Sequence, residues 1–267
     1  LLTVIKIGGN VIDDPEARQQ FLRDFADLPG PKVLVHGGGK IATQVAEKLG
    51  IETVMVEGRR VTDGAMLDVV TMVYGGLVNK QLVAQLQAFG CNAIGLTGAD
   101  AGLVRARKRT GWAIDYGLVG DIESVDFSQL GTLLAAGLTP VLAPLTFDEA
   151  LATLLNTNAD TLAQAVAAAL THTQAVQLVY CFEKKGVLAN PDDDDAVIPE
   201  LTPDAFARYR EAGIISKGMI PKLDNAFAAL REGLRRVVIC HAADLPAAVT
   251  GGTAGTQLSL DSRNFPA

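Results

Sequence analysis

The sequence predicts an α/β fold built around a mostly parallel sheet, on two observations. Short apolar runs of strand length alternate with longer segments of helical period, as they do in successive βα units. Those runs are predominantly apolar, without a strict polar alternation, the pattern of strands covered on both faces. Strands are therefore expected at residues 4–7, 32–36, 93–97, 140–144, 177–182 and 236–240. Helices are expected between them at residues 14–26, 40–49, 63–89, 157–170, 202–212 and 219–233.

Taken in order, the first strand runs into Gly8-Gly9 and the second into Gly37-Gly38-Gly39, each ahead of a helical segment. The segment 63–89 is long, and Gly75-Gly76 marks a kink or a break within it. Residues 127–147 and 161–182 hold no Asp, Glu, Lys or Arg. The first is interrupted by Gly131, Gly137, Pro140 and Pro144, the second by Gln164, His172, Gln174 and Gln177, so both read as buried helix and strand joined by turns, not as membrane spans. The helix at 202–212 opens on Thr202-Pro203-Asp204, a hydroxyl N-cap with proline at the first helical position. The acidic run at 192–195, after Asn190-Pro191, reads as a solvated turn. A lobe boundary is expected near residues 171–175, where helix gives way to strand, dividing the chain into 1–171 and 172–267.

Of the 267 residues, 23 are Lys or Arg and 30 are Asp or Glu, a net charge of −7 that argues against non-specific nucleic-acid binding. With 49% hydrophobic and 20% charged residues, the composition is that of an ordinary globular protein. Residues 2–7 are strand-like and lack the basic region and apolar run of an export signal, so a cytoplasmic location is expected. Cys91, Cys181 and Cys240 are widely separated and lack CxxC spacing, as buried thiols of a reducing compartment would be. The three histidines, His36, His172 and His241, are equally scattered, and no structural transition metal is expected.

Five motifs carry chemistry. Lys6-Ile7-Gly8-Gly9 joins a lysine to paired glycines whose backbone N–H groups can approach an anion closely, although Gly-Gly also serves as a tight turn. His36-Gly37-Gly38-Gly39-Lys40 opens a second helix without the spacing of a Walker loop. Through Gly37, Gly39 and Ala42, with Glu57 further on, it also satisfies a loose dinucleotide pattern. Arg59-Arg60 precedes a capped helix, and a guanidinium fork suits carboxylate recognition. Asn156 and Asp160, spaced i and i+4, would share a helical face and point into one cleft. Lys222 follows a glycine-flanked segment in a first helical turn, where the helix dipole disfavours a cation, which suggests an anionic ligand nearby.

Together, in this order, Lys6–Gly9, His36–Gly39, Arg59–Asp63, the segment 155–161 and Gly218–Lys222 resemble the amino acid kinase family, and the similarity runs over essentially the whole chain. The resemblance implies a three-layer αβα sandwich with a mainly parallel central sheet, an N-terminal lobe for the amino-acid substrate and dimerisation, and a C-terminal lobe for ATP. It implies transfer of the γ-phosphoryl group of ATP, with Mg2+, to the side-chain carboxylate of an N-acylated glutamate, a step of arginine biosynthesis. N-acetyl-L-glutamate is the expected substrate, and N-succinyl-L-glutamate is the alternative, for which Arg59 or Lys40 would supply an additional cation. A dinucleotide-binding protein and a non-catalytic ligand sensor are the remote alternatives.

By the same resemblance, Lys6 and Lys222 stabilise the transition state and Asp160 orients both lysines. Gly37, Gly38, Arg60 and Asn156 bind the acyl-glutamate, and Gly8, Gly9 and Gly218 bind nucleotide phosphates. Phe182, Lys184 and Lys185, in a turn that lacks the aspartate common in the family, belong to the nucleotide lobe, as does Ser216. No metal ligand comes from a protein side chain. Because the sequence opens on its first strand, an arginine-insensitive homodimer is expected, with neither nucleic acid nor membrane as partner.

Overall fold

Every residue of β1 (Leu2–Ile7) is buried, because helices cover both faces of the sheet around it. The computed structural model describes residues 1–56, 58–190, 192–215 and 219–260. After β1 come α1 (Gly9–Asp13), α2 (Pro15–Asp27), β2 (Lys32–His36), α3 (Gly39–Lys48), β3 (Met55–Val56), β4 (Arg59–Arg60), α4 (Gly64–Val70), α5 (Asn79–Ala88) and β5 (Ala93–Leu96). The middle of the chain holds β6 (Val104–Lys108), β7 (Gly120–Val125), α6 (Phe127–Ala135), β8 (Thr139–Leu142), β9 (Leu145–Asp148), β10 (Thr153–Asn156) and α7 (Ala159–Leu170). The remainder is β11 (Val176–Phe182), β12 (Glu200–Leu201), α8 (Pro203–Glu211), α9 (Ile220–Arg231), β13 (Arg236–His241), α10 (Leu245–Val249) and β14 (Thr256–Leu258).

The main sheet has eight strands in the order β12-β14-β13-β11-β1-β2-β8-β5. All neighbours in it are parallel except β13 and β14. Successive side chains of a strand point to opposite faces. Ile5 and Ile7 therefore pack with α1, α2, α4, α5 and α10, while Leu2 and Val4 pack with α6, α7, α8 and α9. Burying each such aliphatic side chain contributes about 1.5–3 kcal/mol, which makes this alternation the principal organiser of the three layers. The boundary expected between residues 171 and 172 falls between α7 and β11, and the sheet continues across it through the β1–β11 pair.

All six strands read from the sequence lie in this sheet, with ends displaced by no more than a residue or two. The segment 63–89 is helical from Gly64 to Ala88, and its centre, Thr71–Val78, is a π-helix that contains Gly75-Gly76. The expected kink is thus a widened turn, the usual way a helix absorbs an extra residue. Residues 127–147 resolve into α6, β8 and the start of β9, as expected of helix and strand joined by turns. No helix among the described residues is long and apolar enough to cross a membrane.

Sequence reading did not foresee a second, four-stranded sheet, β10-β9-β6-β7, nor the β3–β4 hairpin. It also placed the start of α7 at Thr157, whereas the helix begins at Ala159 with Asn158 as its cap. Asn156 is the last residue of β10, so the expected helical face shared with Asp160 does not exist. What brings the two residues to the same side of the molecule is the strand-to-helix turn between them.

Candidate active site

Ligands of open α/β sheets bind beyond the carboxyl ends of the strands. Here those ends are Ile7 of β1, His36 of β2 and Phe182 of β11. Lys6 lies in register with Tyr180 across the β1–β11 pair, and alternation directs both side chains to the face covered by α7 and α9. α7 presents Asp160 to that face, in a first turn where Asn158 Oδ1 accepts from the backbone N–H groups of Asp160 and Thr161 at 2.8 and 3.0 Å. α9 presents Lys222 in its own first turn.

These three side chains meet. Lys6 Nζ lies 2.7 Å from Asp160 Oδ1, and Lys222 Nζ lies 3.4 Å from Asp160 Oδ2. Burial works against the charge on Asp160, but Lys6 and then Lys222 outweigh it and hold the carboxyl below the usual carboxylate range. Burial lowers the Lys222 ammonium pKa, with Lys6 adding to the effect and Asp160 opposing it. Lys222 is the more open of the lysines, its side chain 30% exposed against 8% for Lys6.

Beside the triad is a cleft with about 780 Å³ of empty volume, partly open to solvent, between the glycine turn after β2 and the β10–α7 turn. Gly37, Gly38, Arg60 and Asn156 line it, with Tyr74 and Pro144. Gly38 has φ +153°, and an added Cβ would sit 3.1 Å from Tyr74 Cδ1, so this turn requires glycine. Arg60 is buried and donates to Gly39 O at 2.8 Å and to Thr43 Oγ1 at 2.9 Å, which fixes the guanidinium against the glycine turn. Asn156, at the cleft wall, donates from Nδ2 to Thr62 Oγ1 at 2.9 Å.

Sequence reading missed Tyr74, Thr62, Arg109 and Trp112. The guanidinium carbons of Arg59 and Arg109 lie 5.1 and 5.0 Å from the Trp112 ring centre, and both arginines line the cleft. Arg109 is also paired with Asp121 at 2.6 Å. Gly117 admits this segment to the site, since a Cβ there would meet Thr62 O at 2.3 Å. Lys40, by contrast, is largely exposed and its nearest acid is Asp13 at 4.0 Å. Only the adjacent arginines of the hairpin carried a signal in sequence.

The glycines after β1 are less open than their sequence suggested. The Gly8 N–H donates to Cys181 O at 2.9 Å, so the first uncommitted donors are those opening α1 at Gly9. Phe182 turns its ring to the lysines, 3.8 Å from Lys222 Nζ and 4.9 Å from Lys6 Nζ. Lys184 pairs with Asp194 at 2.6 Å and Lys185 with Asp195, so the expected solvated acidic turn is tied to the loop after β11. Ser216 and Gly218, expected to contact nucleotide, lie outside the described residues, as does Glu57 of the dinucleotide pattern.

The profile of the amino acid kinase family matches residues 2–241. With a sheet, a lysine–aspartate–lysine cluster and a glycine-floored cleft arranged in this way, the chain belongs to the amino acid kinase family. The acetylglutamate kinase of Cytophaga hutchinsonii is 54% identical to it over 259 residues, 96% of this chain and 98% of that one. The acetylglutamate kinase of Bacteroides thetaiotaomicron is 56% identical over 238 residues, 89% and 92% of the two chains. Among solved structures, smu.665 from Streptococcus mutans superposes with a TM-score of 0.79 at 28% identity, covering 97% of this chain and 99% of that one.

Proposed function

We propose that this chain is a phosphotransferase that moves the γ-phosphoryl group of ATP to the side-chain carboxylate of N-acetyl-L-glutamate, giving N-acetyl-glutamyl 5-phosphate. The observation that carries the reading is the pairing of two lysines from opposite halves of the chain on one buried carboxylate, beside a cleft floored by glycines and Arg60. The similarity to acetylglutamate kinases over nearly the whole chain supports the substrate.

The chemistry asks little else of the protein. The attacking carboxylate is already ionised at neutral pH, so its oxygen can form the new P–O bond as the bond to ADP breaks, without a general base. The difficulty lies in bringing two anions together and balancing the charge spread over the transferring phosphoryl group. Lys6 and Lys222 supply that balance from either side. Asp160, held ionised by both, aims them and takes no proton.

The cleft-lining residues all fall within 1–171, which supports the substrate there, while Lys222 and Phe182 fall within 172–267, the half assigned to ATP. Gly37, Gly38, Arg60 and Asn156 would bind the acyl-glutamate, with Arg60 on its α-carboxylate. Gly8 and Gly9 would close over the phosphates, with Gly9 giving the free N–H. Both Asp160 oxygens face lysines, and no cluster of three or more His, Cys, Asp or Glu among the described residues could hold a metal. Mg2+ would arrive with the nucleotide, held largely by phosphate oxygens and water, where it would neutralise phosphate charge. The same reading makes the protein a cytoplasmic homodimer, in keeping with three buried free thiols.

Trapping acyl phosphate as a hydroxamate tests this directly, with Mg-ATP and N-acetyl-glutamate, N-succinyl-glutamate or free glutamate in parallel. Hydroxamate formed preferentially from N-acetyl-glutamate is the expected result. A preference for the succinyl compound would reassign the acyl pocket, and no signal above ATP alone would overturn the kinase reading.

A further inference from the structure

Lys222 has weak support for a residue that must hold a position. It sits in the first turn of α9, where the helix dipole repels a cation, its ion pair with Asp160 is long at 3.4 Å, and Lys6 shares the same carboxylate. The ring of Phe182 makes up the difference. Its centre is 3.8 Å from Lys222 Nζ and 4.9 Å from Lys6 Nζ, within the range where the negative face of an aromatic ring attracts an ammonium group.

The ring is itself held. Phe182 and Tyr180 are two residues apart on β11, so both project to the α7 and α9 face, and their rings stack at 6.1 Å and 7°. Tyr180 in turn donates from its hydroxyl to Asp160 O at 3.3 Å. The flank of the Phe182 ring closes over the turn after β1, where a Cβ on Gly8 would lie 3.3 Å from Phe182 Cδ1. The aromatic pair thus ties the end of β11 to the start of α7 and to the first glycine turn.

Resting on the kinase reading above, we infer that Phe182 is a positioning residue for phosphoryl transfer, a buried aromatic platform that holds the ammonium groups of Lys222 and Lys6 at the reacting position. It does so without a second carboxylate in ion-pair contact with either lysine among the described residues, Glu183 acting on Lys222 only from farther away. Another anion there would repel the incoming phosphates, whereas a ring attracts the lysines and leaves their net positive charge available to the nucleotide.

The test compares F182L, which keeps bulk but loses the ring, with F182Y, which keeps the face. F182L is expected to lower kcat about 10-fold with KM for both substrates little changed, and F182Y to recover most of that loss. Removing the ring withdraws support from the ammonium form of Lys222, which otherwise faces Asp160, Lys6 and Glu183. The alkaline limb of kcat should therefore move to lower pH in F182L, an effect that altered packing alone would not produce.

A second readout is independent of activity. In protein labelled with ε-13C lysine and assigned with K222R, the Lys222 ε-methylene resonance should show a ring-current upfield shift in the parent and in F182Y, and lose it in F182L. An unshifted Lys222 resonance in the parent overturns the inference, as does equal loss of kcat in F182L and F182Y. Absence of hydroxamate from the parent would instead overturn the kinase reading, with the Lys222 resonance still deciding whether the ring holds the ammonium.

Discussion

His36 holds the glycine turn of the cleft from beneath. Its Nδ1 lies 2.7 Å from Gly37 O and its Nε2 lies 3.1 Å from Asn79 Nδ2, which also donates to Val141 O at 2.9 Å. The carbonyl can only accept and the amide nitrogen can only donate, so the ring is neutral with its proton on Nδ1. Burial pushes its pKa down from 6.5 to about 4. The unfolded chain takes up this proton near pH 6.5 and the folded chain only near pH 4, so stability falls as pH drops through that window. The contribution lost is about 3 kcal/mol, and urea denaturation of His36→Gln beside the parent at pH 7, 5.5 and 4 should show it as a flatter acid profile in the variant. Parallel profiles would show that the imidazole does not titrate in this way. In sequence His36 was one of three scattered histidines, because nothing local shows that Asn79, on a distant helix, will lie under it. Lys222 was legible for the opposite reason, since a cation in a first helical turn breaks a local rule.

At the scale of elements, the start of α7 matters most, because two consecutive roles meet there. Asn158 caps the helix and Asp160, two residues on, carries both lysines. Asn158→Ala should cost about 1 kcal/mol in chemical denaturation, and Asn158→Asp or Asn158→Ser should keep most of it. A loss confined to a few tenths would mean that tertiary packing alone sets this helix start. The predicted start fell two residues early because Asn156, Thr157 and Asn158 are all residue types that can cap a helix, and only one of them does. The second sheet was not visible for a different reason. β6 reads Val-Arg-Ala-Arg-Lys, with Val104 and Ala106 buried and Arg105 exposed, so it is half-solvated and three of its five residues are basic, against a single charged residue in each of β1, β2 and β13. β3 and β4, two residues each, are too short to establish any period.

At the scale of the whole molecule, the exposed apolar side chains of Met72 and Leu77 stand on the π-helical stretch. A homodimer that covers them is the expected assembly, since self-association commonly buries apolar surface around a two-fold axis. Sedimentation should give twice the chain mass for the parent and a shift toward a single chain for the double variant M72D and L77D. A parent that sediments as one chain at all concentrations would remove the dimer from the reading. The sheet has its own consequence at this scale. Because β1 lies between β2 and β11, the residue that begins the site in sequence, Lys6, is placed where the two halves of the chain meet.

By itself, the sequence determined the α/β class and the six strands of the main sheet, and it singled out the glycine turns and the lysines Lys6 and Lys222. Each of these follows from local rules: apolar periodicity, glycine after a strand, and a lysine where a helix disfavours one. Only the tertiary structure decided that Asn156 ends a strand, that the Gly8 N–H is already bonded, and that Phe182 faces two lysines instead of an empty pocket. Those outcomes depend on which strands become neighbours in the sheet. Neighbourhood is set by burying both faces of the whole sheet at once, a free energy summed over the molecule that no single segment carries.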